Sequence, residues 1–144
     1  MDETFEAVPL EEVREFGSYE VTREEIMEFG QAYDPQTFHV DEEAAAESMF
    51  GGLIASGWHT AAMTMRLIVD NYLNESGALG SPGVDELRWP APVRPGDVLR
   101  IRAEPVEKDP WNDDMGAVVI DTETLTAADR TVQTMRARVL FPRD

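Results

Sequence analysis

The sequence predicts an α+β domain in which a mostly antiparallel sheet curls around one long helix. Three observations support this fold class. An amphipathic helix is indicated from Ser56 onward, near the middle of the chain. In the second half, apolar residues recur with a period of two, which is typical of strands with one wet face. Strands and helices do not alternate along the chain, so a parallel sheet of repeated strand–helix–strand units is not favoured.

One short strand and one helix are predicted ahead of the central region. We assign the strand to residues 16–21. Thr22 and Glu25 have the spacing of a capping box, and apolar residues at helical spacing predict a helix from Thr22 to about Tyr33. A proline follows Asp34 and disfavours helical geometry there, so the helix is expected to end at Asp34.

The central region continues with a loop and a second short helix. Residues 35–40 are predicted to form a loop that returns His39 toward Asp34. Asp41 is expected to cap a helix over residues 42–47, which the following pair of glycines ends. Small and apolar residues then lead into the long helix.

The long helix carries apolar residues at helical spacing for about five turns, and we expect this stripe to face the core. His59 lies in its first turns, where packing or a local hydrogen bond is the simpler interpretation and a substrate contact is the alternative. The stripe consists of Trp58, Ala61, Ala62, Met65, Ile68, Val69, Tyr72 and Leu73.

The second half is predicted to consist of strands. A turn is indicated at residues 94–97 by the sequence Arg-Pro-Gly-Asp, and residues 108–116 are expected to be a polar loop. The strand candidates lie at residues 84–89, 99–103, 117–125 and 133–141.

Length and composition indicate a single globular domain over residues 1–144. Hydrophobic residues make up 42% of the chain, which is ordinary for a protein with a core. The absence of cysteine excludes disulfides and cysteine zinc sites. No apolar run approaches the length of a membrane helix and no secretory signal is evident, so we expect a cytoplasmic protein without a membrane partner.

The charge balance is strongly acidic. Asp and Glu number 29 against 12 Lys and Arg, which gives a formal net charge of −17. A nucleic acid partner is not expected, because its phosphates would be repelled. Among the cations Lys108 is the single lysine, a pattern that suggests adaptation to a cytoplasm of high salt.

Asp34, His39 and Gly57 are the residues from which chemistry can be argued. A carboxylate and an imidazole on one loop can position and activate a water molecule, because both exchange protons once their surroundings tune them. A helix start preceded by small residues offers unpaired N–H groups to a developing negative charge. The alternatives remain that Asp34 is only a turn residue and that His39 is a structural hydrogen-bond donor.

Other chemistries find little support in the sequence. Two histidines and dispersed surface carboxylates do not supply the three or four convergent ligands that a metal needs. No glycine-rich loop of the nucleotide-binding type is present. We therefore expect neither a metal nor another cofactor.

The segments around Asp34 and Gly57 resemble those of a known family. Asp-Pro-Gln-Thr-Phe-His, followed by Phe-Gly-Gly-Leu-Ile-Ala-Ser-Gly-Trp-His, is similar to the MaoC-like dehydratases, which include the (R)-specific enoyl-CoA hydratases. The interval of 18 residues between His39 and Gly57 also fits that family. Residues 84–89 and 93–97 extend the resemblance over nearly the whole chain, and it implies a hotdog fold.

The resemblance also implies an activity, the reversible hydration of a 2-enoyl thioester to the (R)-3-hydroxyacyl thioester. The substrate would be carried on coenzyme A or an acyl carrier, and the protein would be a homodimer. Asp34 and His39 would manage the protons of one water, and the N–H of Gly57 would receive the charge on the thioester oxygen. Further substrate contacts are expected from Gly52, Ser56 and Trp58.

The chain departs from the family at two positions of the catalytic loop, where Gln36 and Thr37 stand for Asn and Pro. Candidate coenzyme A contacts are Arg66, Arg88 and Arg94. Two rival functions remain open. A hotdog thioesterase would need an acid in or near the long helix, for which Asp70 is the candidate, and a non-catalytic acyl-thioester-binding module would need no acid.

The acidic composition generates a prediction about salt. Self-repulsion among the carboxylates opposes the compact state unless counterions screen it, so the melting temperature should rise with KCl concentration up to the molar range. Thermal unfolding monitored by circular dichroism at a series of KCl concentrations measures this. A melting temperature that is the same at low and molar KCl contradicts salt adaptation.

Overall fold

The structure is a computed structural model that describes residues 3–144. The described part forms four α-helices and five strands, with a 3₁₀ turn at Leu73–Glu75 after the last helix. In chain order the elements are β1 (Arg14–Glu20), α1 (Arg23–Tyr33), α2 (Thr37–Val40), α3 (Glu42–Glu47), α4 (Gly57–Asn71), β2 (Gly80–Arg88), β3 (Val98–Pro110), β4 (Met115–Thr126) and β5 (Thr131–Pro142).

The five strands form one antiparallel sheet in the order β1-β3-β4-β5-β2. Helix α4 packs against β1, β3 and β5, so the sheet curls around it. The main core lies between them and includes Leu67 of α4 with Leu99 and Ile101 of β3. The α+β prediction with one long central helix is confirmed.

The predicted apolar stripe of α4 is confirmed only toward its C-terminal end, where Ile68 packs against the main core and Tyr72 and Leu73 pack against a second cluster. Three other residues of the stripe, Trp58, Ala62 and Met65, are exposed. For these three the prediction was wrong because it followed hydrophobicity alone, whereas the buried face contains hydroxyl groups with partners, as in the 2.7 Å hydrogen bond between Thr64 and Thr124. The fully buried residues of the helix are His59, Thr60, Met63, Thr64 and Leu67.

The two predicted helix caps near the site, at Thr22 and Asp41, are confirmed. The hydroxyl of Thr22 accepts a hydrogen bond from the N–H of Glu25, which starts α1. Asp41 caps α3 by accepting from the N–H groups of Glu43 and Ala44. Residues 35–40 differ from the predicted loop because Thr37–Val40 makes one helical turn.

The strands are longer than predicted at several ends. Strand β2 already begins at Gly80, and β1 begins at Arg14. Strands β3 and β4 extend into the segment predicted as a polar loop, which leaves residues 111–114 as the connection. No helix within residues 3–144 is long and apolar enough to cross a membrane.

Candidate active site

Asp34 ends helix α1 and is held at both carboxylate oxygens. Its N–H donates to the carbonyl of Gly30, which closes the helix. One oxygen, Oδ1, accepts a 2.8 Å hydrogen bond from Nε2 of Gln36. The other, Oδ2, accepts a 2.7 Å hydrogen bond from Oγ of Ser56 at the start of α4. The carboxylate therefore has one fixed orientation between two segments of the chain.

His39 lies on α2 with only 4% of its surface exposed. Its Nδ1 is 2.8 Å from the carbonyl oxygen of Ile54, and its Nε2 is 3.3 Å from Oδ2 of Asp34. The close approach of α2 to α1 favours a glycine at position 30, because a Cβ there would lie 3.0 Å from the His39 backbone oxygen. The structure thus brings the predicted pair, Asp34 and His39, into direct contact.

The partners of His39 determine where its proton sits. A carbonyl oxygen only accepts, so Nδ1 must carry the hydrogen that bonds to Ile54. A neutral His39 then presents a lone pair at Nε2, directly opposite the carboxylate of Asp34. Two acceptors at this distance repel each other unless a hydrogen lies between them. Either a proton on Nε2 or a water molecule that donates to both groups satisfies the arrangement.

The surroundings of Asp34 favour its ionised form. Burial acts to raise the pKa of the carboxyl, but the hydrogen bonds from Ser56 and Gln36 and the charge of His39 outweigh it. The net effect is a pKa of Asp34 below its ordinary value. At neutral pH the site therefore contains a carboxylate that can accept a hydrogen bond from water.

Gly57 is the first residue of α4, and its N–H has no partner within residues 3–144. The neighbouring donors are satisfied by Ser56, whose Oγ accepts from Trp58 and whose carbonyl accepts from His59 and Thr60. A helix N-terminus with a free N–H favours a negative charge beside it. This donor lies next to the residue that binds Asp34.

A glycine is required at position 57 because of Trp89. A Cβ on Gly57 would lie 2.4 Å from the indole ring of Trp89, which is closer than any side chain allows. Nε1 of Trp89 donates a 2.9 Å hydrogen bond to Oε1 of the buried Gln133. The ring is therefore fixed by β5 and forms one wall beside the free N–H.

The remaining predicted contacts occupy different surroundings. Gly52 lies 3.5 Å from the guanidinium of Arg94, measured from the position that a Cβ would take. Ser56 is buried and bonded to Asp34, so its hydroxyl acts within the protein. Trp58 is 61% exposed and makes an edge-to-face contact with Trp89 at 5.2 Å between ring centroids.

The three candidate arginines do not converge on one point. Arg94 donates to the carbonyl of Phe50 and so braces the loop that leads to α4. Arg66 forms an exposed ion pair with Asp70 further along α4, and Arg88 is exposed on β2. Within the part of the chain that the structure describes, no group of three or more histidines, aspartates or glutamates is placed to hold a metal.

The structure adds three functional relations that the sequence did not indicate. Gln36 bonds Asp34 directly, although it stands where the resemblance implies another amide. Ser56, which is predicted as a substrate contact, donates a hydrogen bond to Asp34. Trp89, which directly follows β2 and lies 32 residues away in sequence, covers Gly57, and the glycine itself was the only local signal for this contact.

Fold and site together define a class of protein, an α+β domain that places a carboxylate–imidazole pair near a helix N–H without a partner among residues 3–144. The profile of the family described as a MaoC like domain matches residues 5–128. Because this match covers most of the chain, the protein belongs to the MaoC-like dehydratase family.

Individual relatives agree with this assignment. A MaoC-like dehydratase structure from Rhodospirillum rubrum is 38% identical, with a TM-score of 0.88 over 98% of this chain and 97% of the other. The 3-hydroxyacyl-thioester dehydratase Z of Mycobacterium tuberculosis is 39% identical over 56% of this chain and 54% of its own length. The R-hydratase PhaJ1 of Pseudomonas aeruginosa, at 22% identity and a TM-score of 0.77 over 98% and 86% of the chains, shares the fold. The predicted hotdog fold is confirmed.

The two hydrogen bonds to Asp34 predict that the pKa of Asp34 and the capping of α4 can be changed independently. Ser56→Ala and Gln36→Leu each remove one bond to the carboxylate, so both should raise the pKa of Asp34 toward its ordinary value of about 3.9. Only Ser56→Ala also removes the cap of α4, which should cost about 0.5–2 kcal/mol of unfolding free energy at neutral pH.

Carbon-13 NMR titration of Asp34 and urea unfolding measure the two effects. Because the folded pKa is depressed, the stabilisation from Asp34 is present above the unfolded pKa and is lost as pH falls through the folded pKa. In both variants this loss should begin at the same pH as in the wild type, but it should be smaller and should be complete at a higher pH. An unchanged pKa of Asp34 in Ser56→Ala would show that the bond between these residues does not tune the carboxyl.

Proposed function

We propose that this protein catalyses the reversible hydration of 2-enoyl thioesters to (R)-3-hydroxyacyl thioesters. The observation that supports this most directly is the contact between Nε2 of His39 and Oδ2 of Asp34, which are 3.3 Å apart. A water molecule that donates a hydrogen bond to this pair keeps a lone pair free to attack. The dehydratase relatives point to the same reaction class.

The proposed mechanism begins with water held between Asp34 and His39. As the water oxygen bonds to C3 of the substrate, one water proton passes to the pair, which acts as general base. The C2–C3 double bond opens and its electrons move toward the thioester oxygen. A proton from the same pair is then delivered to C2, so the elements of one water are added. Dehydration follows the same steps in reverse.

The thioester oxygen carries developing negative charge during this step. In the proposed pose it accepts a hydrogen bond from the N–H of Gly57, which has no other partner within the described residues. Loss of one such donor typically costs about 10²–10³ in rate. Trp89 limits access to this N–H from one side, and Gly52 and Trp58 are proposed to line the approach of the thioester. We assign Ser56 a positioning role through Asp34.

A thioesterase is the less favoured function. Its candidate acid, Asp70, forms an ion pair with Arg66 on an exposed part of α4. At a rise of about 1.5 Å per residue, Asp70 lies roughly 20 Å along the helix from Gly57. A carboxylate at that distance cannot assist attack on a thioester held at the helix start. A purely binding module would not require a carboxylate held against an imidazole.

We also propose that two copies of the chain form the working unit. Strand β2 is an edge of the sheet, with one side free of backbone partners among the described strands. The outward face of α4 presents Trp58, Ala62 and Met65 to solvent. A second copy that continued the sheet at β2 and covered this face of α4 would bury both features. The acyl thioester, on coenzyme A or an acyl carrier, would then bind close to the junction.

The proposed reaction predicts different effects for the same substitution at two aspartates. Asp34→Asn keeps the shape of the side chain but cannot accept a proton, so hydration of crotonyl-CoA should fall by at least about 100-fold. Asp70→Asn makes the same chemical change on an exposed carboxylate and should leave the rate unchanged.

The assay follows loss of enoyl absorbance together with release of free thiol, in KCl. Hydration predicts loss of absorbance without thiol. Thiol release that depends on Asp70 would support the thioesterase instead, and full activity of Asp34→Asn would contradict the assigned site.

The proposed dimer predicts that a charge on the outer face of α4 prevents association. Met65 and Leu10 are similarly exposed, at 45% and 43%. Met65→Glu should give a monomer by size-exclusion chromatography with light scattering, whereas Leu10→Glu should remain dimeric, because Leu10 lies outside the proposed contact. A monomeric wild type, or a dimeric Met65→Glu, would contradict this arrangement.

A further inference from the structure

His59 is a buried histidine that the proposed reaction does not use. The residue is 4% exposed, and its Nδ1 is fully buried with no hydrogen-bond partner among residues 3–144. The ring stacks on Phe29 with 4.7 Å between centroids and 7° between planes. Buried polar atoms are almost always bonded, so an unpartnered buried nitrogen needs an explanation.

The position of His59 relates it to the catalytic pair. Residues 57 and 59 point to opposite sides of α4, since each residue advances about 100° around a helix. Ser56, three residues before His59, shares its face and bonds Asp34. His59 therefore lies on the side of the helix that faces the carboxylate of Asp34.

A cavity of about 410 Å³ opens beside this ring. Helix α1 provides most of its wall, including Tyr33, the residue directly before Asp34. A thioester whose carbonyl oxygen meets Gly57 and whose C3 meets Asp34 would direct the rest of its acyl chain toward this side. The lining residues are Glu25, Glu28, Phe29, Ala32, Tyr33 and His59.

The charge state of His59 limits what it can bind. Burial lowers the pKa of His59, Glu25 raises it in part, and His39 lowers it further, with a net depression. The ring is therefore neutral at pH 7 and has one donor and one acceptor nitrogen. Glu25 is already bonded to the hydroxyl groups of Tyr19 and Thr22, so it does not occupy the imidazole.

We propose that His59 is a specificity-determining residue that hydrogen-bonds a hydroxyl group on the acyl chain beyond C3. This inference deepens the proposed hydratase function and depends on it for the pose. A hydroxyl can bond either nitrogen of a neutral imidazole, because it can donate to the acceptor nitrogen or accept from the donor nitrogen. A carboxylate in the same place would meet Glu25 and Glu28, and a plain alkyl chain would leave the imidazole buried without a partner.

The test compares hydroxylated and plain substrates of equal length. Wild-type kcat/KM is measured for 2-enoyl-CoA thioesters of four, five and six carbons, each with and without a terminal hydroxyl. At the length that reaches His59, the hydroxylated substrate should be preferred by roughly 10- to 100-fold. A wild type with no such preference at any length overturns the proposal.

Two variants separate recognition from packing. His59→Leu should abolish the preference by lowering the rate for the hydroxylated substrate only, whereas His59→Gln, which keeps donor and acceptor, should retain part of it. If His59→Leu lowers both substrates by the same factor, the role is structural and the proposal fails. Asp34→Asn serves as control, because it should lower both alike and leave the preference intact.

A binding measurement with unreactive ligands tests the role of His59 without depending on the proposed hydration reaction. The saturated acyl-CoA of the same length, with and without the hydroxyl, is titrated by calorimetry into wild type, His59→Leu and His59→Gln. Tighter binding of the hydroxylated ligand, lost in His59→Leu and partly kept in His59→Gln, supports the inference even if no substrate is hydrated. Equal affinities in the wild type contradict it, and absence of hydration alone contradicts only the proposed function.

Discussion

The hydrogen bond from Ser56 to Asp34 is the interaction on which the site depends. Through its hydroxyl, Ser56 binds the carboxylate and also caps α4 by accepting from Trp58. Its carbonyl accepts from His59 and Thr60, so Gly57 keeps the free N–H at the helix start. One residue thus fixes the distance between the proposed proton acceptor and the proposed oxyanion donor. These groups lie 23 residues apart in sequence, and without this link their separation would depend on loop conformation.

Two close approaches make this geometry possible, and a glycine lies at each. Gly30 lets α2 lie tightly against α1, which brings His39 within reach of the carboxylate at the end of α1. Gly57 lets the indole of Trp89 lie on the helix start, where any side chain would push the two segments apart. The glycines therefore serve packing as well as any contact with substrate.

The sequence was most informative where the interactions are local. The proline after Asp34, the capping pattern at Thr22 and the period of two in the strands each act within a few residues, and the structure agrees with them. The buried face of α4 could not be predicted, because Thr64 is stabilised there by Thr124, a partner 60 residues away. The approach of Trp89 to Gly57 likewise depends on the sheet. Such long-range contacts have no signature in residue spacing.

The two faces of α4 differ from those of an ordinary amphipathic helix. Its inner face is partly polar, and the hydroxyls of Thr60 and Thr64 have partners there, whereas His59 does not. Its outer face carries apolar side chains, among them Met65. Each feature is unfavourable for an isolated chain, since a buried nitrogen lacks a bond and apolar surface meets water. Helix α4 still supplies Met63 and Leu67 to the main core, and the proposed bound hydroxyl inside and second copy outside would remove both of these costs.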